Sequence, residues 1–230
     1  MLFADRYDAG RRLALQLQRH RVEHPLVLGL PRGGVVVGYE IATALGAELD
    51  VLIVRKLGVP GADEFAMGAV APGATLLNAD LVGRLGLSSS VVDVVIAREL
   101  AELKRREQLY RGKRPPSHVH GRTVILVDDG LATGATAQAA VESLRRQQPR
   151  QIIFAAPVCS RDGAEALRRV VDEVVCLECP EHFQAVGLWY EDFSQTTDEE
   201  VRELLRLSPA QPAGVDPWMQ SPESPMPPPT

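Results

Sequence analysis

Two adjacent carboxylates, Asp128 and Asp129, end the apolar run Val124-Ile-Leu-Val127 and open a loop of small residues, Gly130-Leu-Ala-Thr-Gly-Ala-Thr136. Neighbouring acids at a buried edge repel each other, so a helix cap alone does not account for them. They suit sugar hydroxyls, or a magnesium ion held together with water. Thr133 and Thr136 add hydroxyl donors, and glycine at position 134 lets a ligand approach the backbone closely. The stretch Ala137-Gln-Ala-Ala-Val-Glu-Ser-Leu144 reads as a helix, whose unpaired first amides attract phosphate. Together these residues make a place for a phosphorylated sugar. The chain contains no G-x-x-x-x-G-K-[ST] run, which excludes a P-loop site.

A second candidate is Leu30-Pro-Arg-Gly-Gly34, where a strand leads into a helix. Its amides can face an anion, and Arg32 can add charge; a plain turn that uses Gly33 and Gly34 for geometry is the other reading. Arg55-Lys56 places two cations at the end of the next apolar run, in a chain whose only other lysines are Lys104 and Lys113. Cys176-x-x-Cys179-x-x-His182, with Cys159, has the ligand types for zinc, but the apolar alternation around Cys176 favours a small core residue. His118 and His120 lie in a proline-rich loop without an evident partner.

The elements that must position these groups alternate between strand and helix. Arg11 to Arg21 has helical spacing, Leu26 to Leu30 reads as a buried strand, Val35 to Leu45 as a helix, and Leu49 to Val54 as a strand closed by Arg55-Lys56. Residues 58–64 are a loop by composition, and Met67 to Val70 with Thr75 to Asn78 suggest a hairpin. Ser88-Ser-Ser90 can cap a long helix from Val91 to Tyr110, whose mixed charges fit a solvated face. After the acidic loop, Gln151 to Pro157 and Glu173 to Leu177 are strands around a helix at Ser160 to Val170, and Asp198 caps a short terminal helix. The expected fold is α/β: an open, mainly parallel twisted sheet flanked by helices, with ligand loops at the carboxyl ends of strands. The expected organisation is one domain over residues 1–207 and a disordered, proline-rich tail over 208–230.

Composition narrows the function classes. A chain of 230 residues suits one α/β domain, and its net charge of −5 argues against a general nucleic-acid binder, so any phosphate site is local. No apolar run reaches membrane-span length, the N-terminus turns charged at once, and three cysteines argue against a disulfide framework. A cytoplasmic protein with no membrane partner is the simplest expectation, and the scarcity of lysine beside abundant arginine points to a GC-rich bacterial genome.

The pattern of an apolar run, Asp-Asp, two residues and Ala-Thr-Gly-x-Thr resembles the phosphoribosyl diphosphate (PRPP) signature of type I phosphoribosyltransferases. The resemblance covers residues 26–178 and is specific at 124–136 and 30–34. It implies transfer of the 5-phosphoribosyl group from PRPP to a nitrogenous acceptor, a nucleobase, with release of pyrophosphate and with Mg2+ as cofactor. By the same resemblance, Ala132, Thr133, Gly134, Ala135 and Thr136 hold the 5-phosphate. Asp128 and Asp129 address the ribose 2- and 3-hydroxyls and the metal shell. Arg32, Gly33 and Gly34 grip pyrophosphate in a loop that often carries a non-proline cis peptide, and Arg55 and Lys56 serve the same side. The run Arg55-Lys56-Leu57-Gly58-Val59-Pro60-Gly61 is similar to a segment of adenine phosphoribosyltransferases, whose following loop closes over the site with an acid. Glu64, or Asp63, matches that acid; an ordinary surface acid is the other reading. A hood over the acceptor would come from residues 1–25 and 179–195, with Phe183, Trp189 or Tyr190 stacking on the base or packing a lid. Dimers are common in the family, so a homodimer is a further expectation. A PRPP-sensing regulator of the same fold, without turnover, is the alternative.

Overall fold

The computed structural model describes residues 2–208, except for the side chains of Asp63 and Glu64. Helix α1 (Arg6–Leu17) starts at Asp5, whose carboxylate accepts from Asp8 N, and runs into a 3-10 turn at Gln18–Glu23. Strand β1 (Leu26–Gly29), helix α2 (Gly33–Leu45) and strand β2 (Glu48–Val51) follow. Strands β3 (Arg55–Val59), β4 (Ala62–Ala71) and β5 (Ala74–Leu77) come next, then helices α3 (Ala79–Arg84) and α4 (Ser89–Arg111). The chain continues through β6 (Thr123–Val127), α5 (Ala135–Arg146), β7 (Gln151–Val158), α6 (Arg161–Arg168), β8 (Glu173–Glu178) and α7 (Asp198–Leu207).

The main sheet has the order β2-β1-β6-β7-β8, and every pairing in it is parallel. Its inner strands β1, β6 and β7 are apolar on both faces, as a sheet covered by helices on two sides requires. Along β6, Ile125 and Val127 join the cluster that holds Leu13, Leu17, Ile41 and Leu205 of α1, α2 and α7. Val124 and Leu126 point the other way, to Ala140, Leu144 and Leu167 of α5 and α6. Val27 and Ile153 repeat the first choice, and Leu28 and Phe154 the second. Period-two alternation across three neighbouring strands thus fixes a three-layer sandwich with β6 at its centre.

The second strand is shorter than the sequence pattern predicts. It ends at Val51, and Arg55-Lys56 opens β3 of a separate antiparallel sheet, β3-β4-β5. Residues 58–64, expected as a loop, are the end of β3, a turn at Pro60-Gly61 and the start of β4. Cross-strand pairing from Arg55↔Val70 to Val59↔Ala62 overrides the weak strand preference of this glycine- and alanine-rich stretch. The hairpin read from residues 67–78 is present as β4 and β5, with Ala71 opposite Ala74.

The cap of the last helix is Thr197, whose hydroxyl accepts from Glu200 N, rather than Asp198. The extended backbone of Thr197 places its side chain over the first-turn amides. Of the tail expected from Ser208 onward, residues 209–230 lie outside the described residues. Ser208 itself is buried, and its hydroxyl accepts from Leu49 N at 3.2 Å. Among the described residues, no helix is long and apolar enough to cross a membrane.

Candidate active site

Strand β6 is buried along its whole length and delivers Asp128 and Asp129 to the carboxyl edge of the sheet's central position. The neighbouring strand β1 delivers the loop Leu30–Gly34 to the same edge, with Leu30 N donating to Val127 O at 2.8 Å. The Pro31–Arg32 peptide in this loop is cis. A Cβ added at Gly34 would lie 2.5 Å from Val127 O, and one at Gly33 would lie 1.9 Å from Asp129 Oδ2. Only residues without a Cβ allow the two loops this contact, so Gly33 and Gly34 are there for close approach.

The two acids differ in their surroundings. Asp128 Oδ1 accepts from Asp129 N at 2.9 Å, and burial, then the charge of Asp129, holds its carboxyl well above the usual range. Burial also raises Asp129, while the Arg6 guanidinium opposes that rise. Arg6 Nε donates to Asp129 Oδ2 at 2.7 Å, and Tyr190 OH donates to Asp129 O at 2.5 Å. Two carboxylates so placed attract a cation or hydroxyl donors.

The loop after the pair is tied to β7. Leu131 N donates to Val158 O at 2.8 Å, and Ser160 N donates to Leu131 O at 2.7 Å. Ser160 Oγ also donates to Ala132 O. These bonds set Gly134 at the start of α5 in a left-handed conformation, with φ +78° and no side-chain cap. The first-turn amides of α5 therefore keep their anion-binding capacity, flanked by the exposed Thr133 and the half-buried Thr136.

Arg32 Nη1 lies 3.9 Å from Asp198 Oδ1. That oxygen also accepts from Tyr110 OH at 2.7 Å, which ties α4, α7 and the Pro31–Gly34 loop together. Burial, then the bond to Asp198, pushes the Tyr110 phenol up to about 12.

The structure separates the two cations expected to act together. Arg55 Nη2 lies 2.8 Å from Glu99 Oε2, a buried carboxylate on α4, so its charge is matched within the scaffold. Lys56 is exposed and lines a cleft of about 380 Å³ with Gly68, Leu76, Asn78, Ala135 and Gln138. It faces the start of α5. The side chains of Glu64 and Asp63 lie outside the described residues.

The N-terminal segment and residues 186–193 meet beside the acids. Phe3 N donates to Trp189 O at 2.8 Å and Glu191 N to Phe3 O at 2.8 Å. Phe3 and Tyr190 are buried, with ring centroids 5.4 Å apart. Tyr190 is thus a pillar of this corner, Trp189 packs half-buried against the same cluster, and Phe183 is half-buried elsewhere on the segment. Cys159 is buried, and Cys176 Sγ lies 3.0 Å from Glu178 O. Among the described residues, no group of three or more His, Cys, Asp or Glu is placed to hold a metal. Sequence reasoning missed Arg6 as a partner of Asp129, because nothing in a local pattern marks one arginine among many.

An acidic pair and a glycine loop meet at the carboxyl ends of adjacent inner strands, where open parallel α/β sheets place their ligands. The phosphoribosyl transferase domain family matches residues 3–192, and the chain belongs to that family. It is 45% identical over 205 residues to a Mycobacterium tuberculosis protein provisionally named a phosphoribosyl transferase. That match takes in 89% of this chain and 46% of the relative, so the chain spans about half the relative's length. It is 33% identical over 141 residues to the uracil phosphoribosyltransferase of a Caulobacter strain, covering 59% of this chain and 65% of that protein. The crystal structure of TT1426 from Thermus thermophilus matches with a TM-score of 0.78 at 45% identity, over 89% of this chain and 98% of that one.

Proposed function

We propose that the protein transfers the 5-phosphoribosyl group from PRPP to a nucleobase-type nitrogen acceptor and releases pyrophosphate. The observation that carries this reading is the contact of Gly33–Gly34 with Asp128–Asp129. It brings the Pro31–Gly34 loop against an acidic pair, beside the loop that opens α5. In this reading Ala132 to Thr136 and the start of α5 receive the 5-phosphate. Asp128 and Asp129 receive the ribose hydroxyls, and Arg32, with the amide of Gly33, receives pyrophosphate. Lys56 serves the phosphate side from the hairpin. Arg55 serves the scaffold through Glu99.

Departure of pyrophosphate leaves positive charge on the ribose, and the acids stand where that charge develops. Positioning and water exclusion supply the rest. The donor set fits magnesium: two neighbouring carboxylates, raised by burial and, at Asp128, by the charge of Asp129, gain from a hard cation. Asp128 and Asp129 would hold it, and when bound it would neutralise charge on pyrophosphate. The uracil-specific relative supports a nucleobase as acceptor.

The test is a panel of purine and pyrimidine bases incubated with labelled PRPP and Mg2+. The expected result is nucleotide and pyrophosphate formed with one base class. PRPP binding without turnover on any base would overturn the transferase reading in favour of a PRPP-sensing protein.

A further inference from the structure

We propose that Arg6 is a positioning residue, through which the N-terminal helix and the segment at 190–194 hold Asp129 ready for PRPP. The inference rests on the function proposed above and adds a residue to it.

The geometry is that of a built contact. The Arg6 side chain is 12% exposed and that of Asp129 is 18% exposed. Arg6 Nε donates to Asp129 Oδ2 at 2.7 Å, and Nη1 donates to Ser194 O at 2.8 Å. The guanidinium carbon lies 3.9 Å from the centre of the Phe193 ring and 6.0 Å from that of Tyr190. A planar guanidinium stacked on a ring and bonded at two edges is fixed in direction. A Cβ at Gly33 would lie 1.9 Å from Asp129 Oδ2 and 2.7 Å from Arg6 Nε, so Arg6 and the Pro31–Gly34 loop meet at the same carboxylate oxygen. The main chain of Asp129 is held as well, by Tyr190 OH at Asp129 O. Among the described residues, Arg6 is the one cation within ion-pair distance of Asp129.

Asp128, by contrast, is turned to the backbone amide of Asp129 and touches no arginine at ion-pair distance among the described residues. The hood corner thus acts on one acid of the pair. It fixes the direction of that acid and turns it to the loop expected to hold pyrophosphate. Without Arg6, Asp129 would be free to turn from Asp128 toward solvent.

The test is a double-mutant cycle read by isothermal titration calorimetry of PRPP with Mg2+ into the full chain. Arg6→Met should weaken PRPP binding about tenfold, as expected for loss of one charge-assisted bond that orients a ligand group. Arg6→Lys, which keeps the charge but not the planar edge, should fall between Arg6→Met and the unmutated protein. In an Asp129→Asn background, Arg6→Met should change PRPP affinity less than twofold, because its target is gone. Equal, additive losses in both backgrounds would mean that Arg6 only supports the fold, and would overturn the inference. So would unchanged affinity in Arg6→Met. If Arg6→Met does not fold, Arg6→Lys carries the same cycle. Absence of PRPP binding by the unmutated protein would overturn the proposed function and this inference together, whereas binding with an additive cycle overturns the inference alone.

Discussion

Asp50 and Asp128 are both acids at the carboxyl end of a parallel strand, and their surroundings differ. Asp50 is 2% exposed and saturated with donors. Arg111 Nε reaches both of its oxygens at 2.9 and 3.0 Å, Ser117 N reaches Oδ2 at 3.0 Å, and Val51 N reaches Oδ1 at 2.8 Å. Arg111 is in turn bonded to Val51 O and Glu107. This closed network pins the 112–119 loop and α4 to the sheet edge. Asp128 has the amide of Asp129 and a like charge beside it. An acid satisfied from every side serves the fold; an acid left beside another acid is kept for something that binds. Burial alone does not separate the two roles, but the partners do.

The largest effect expected from this contrast is on stability at Asp50. Asp50→Ala removes one of the two carboxylates on the buried Arg111 guanidinium and leaves Ser117 N and Val51 N without their acceptor, which costs about 3–5 kcal/mol. For a chain of this size that lowers Tm by roughly 10 °C. Calorimetry that finds Asp50→Ala as stable as the unmutated protein would erase the distinction.

A smaller effect of opposite sign is expected at Asp128. Its folded pKa is raised above the ordinary value, so the folded state binds the proton more tightly than the unfolded state does. Its contribution to stability is therefore present below the unfolded pKa and lost as pH rises through the raised folded pKa. At neutral pH burial makes the acid a burden on the folded state, and Asp128→Asn should raise Tm in metal-free buffer. The advantage should shrink as pH falls toward the ordinary carboxylate value of 3.8. A Tm for Asp128→Asn below that of the unmutated protein at neutral pH would show that Asp128 serves the fold after all.

Legibility in the sequence followed the same division between local and distant causes. The strands β1, β6 and β7 were readable because strands buried on both faces are apolar throughout, and Leu26–Gly29, Thr123–Val127 and Gln151–Val158 carry that pattern. The acidic pair and both glycine loops were readable because their chemistry is packed into short runs. In the second sheet the β4-β5 hairpin is legible, whereas β3 and the start of β4 are not, since that stretch becomes strand through its partners rather than its composition. The pairing of Arg55 with Glu99 is not legible locally, because Glu99 lies on a helix far along the chain. Arg6 was overlooked for the same reason: its value comes from Asp129, Ser194 and Phe193, which only the folded chain brings to it.

The central claim is that Asp128 and Asp129 are held for a ribose with phosphates at both ends and not for the fold. Titration of PRPP with Mg2+ into the unmutated protein and into the Asp128→Asn, Asp129→Asn double variant tests it most directly, with Tm measured on the same samples. Saturable binding by the unmutated protein, at least about a hundredfold weaker in a double variant that is equally stable, is the predicted result. Equal PRPP affinity in the two proteins would contradict it.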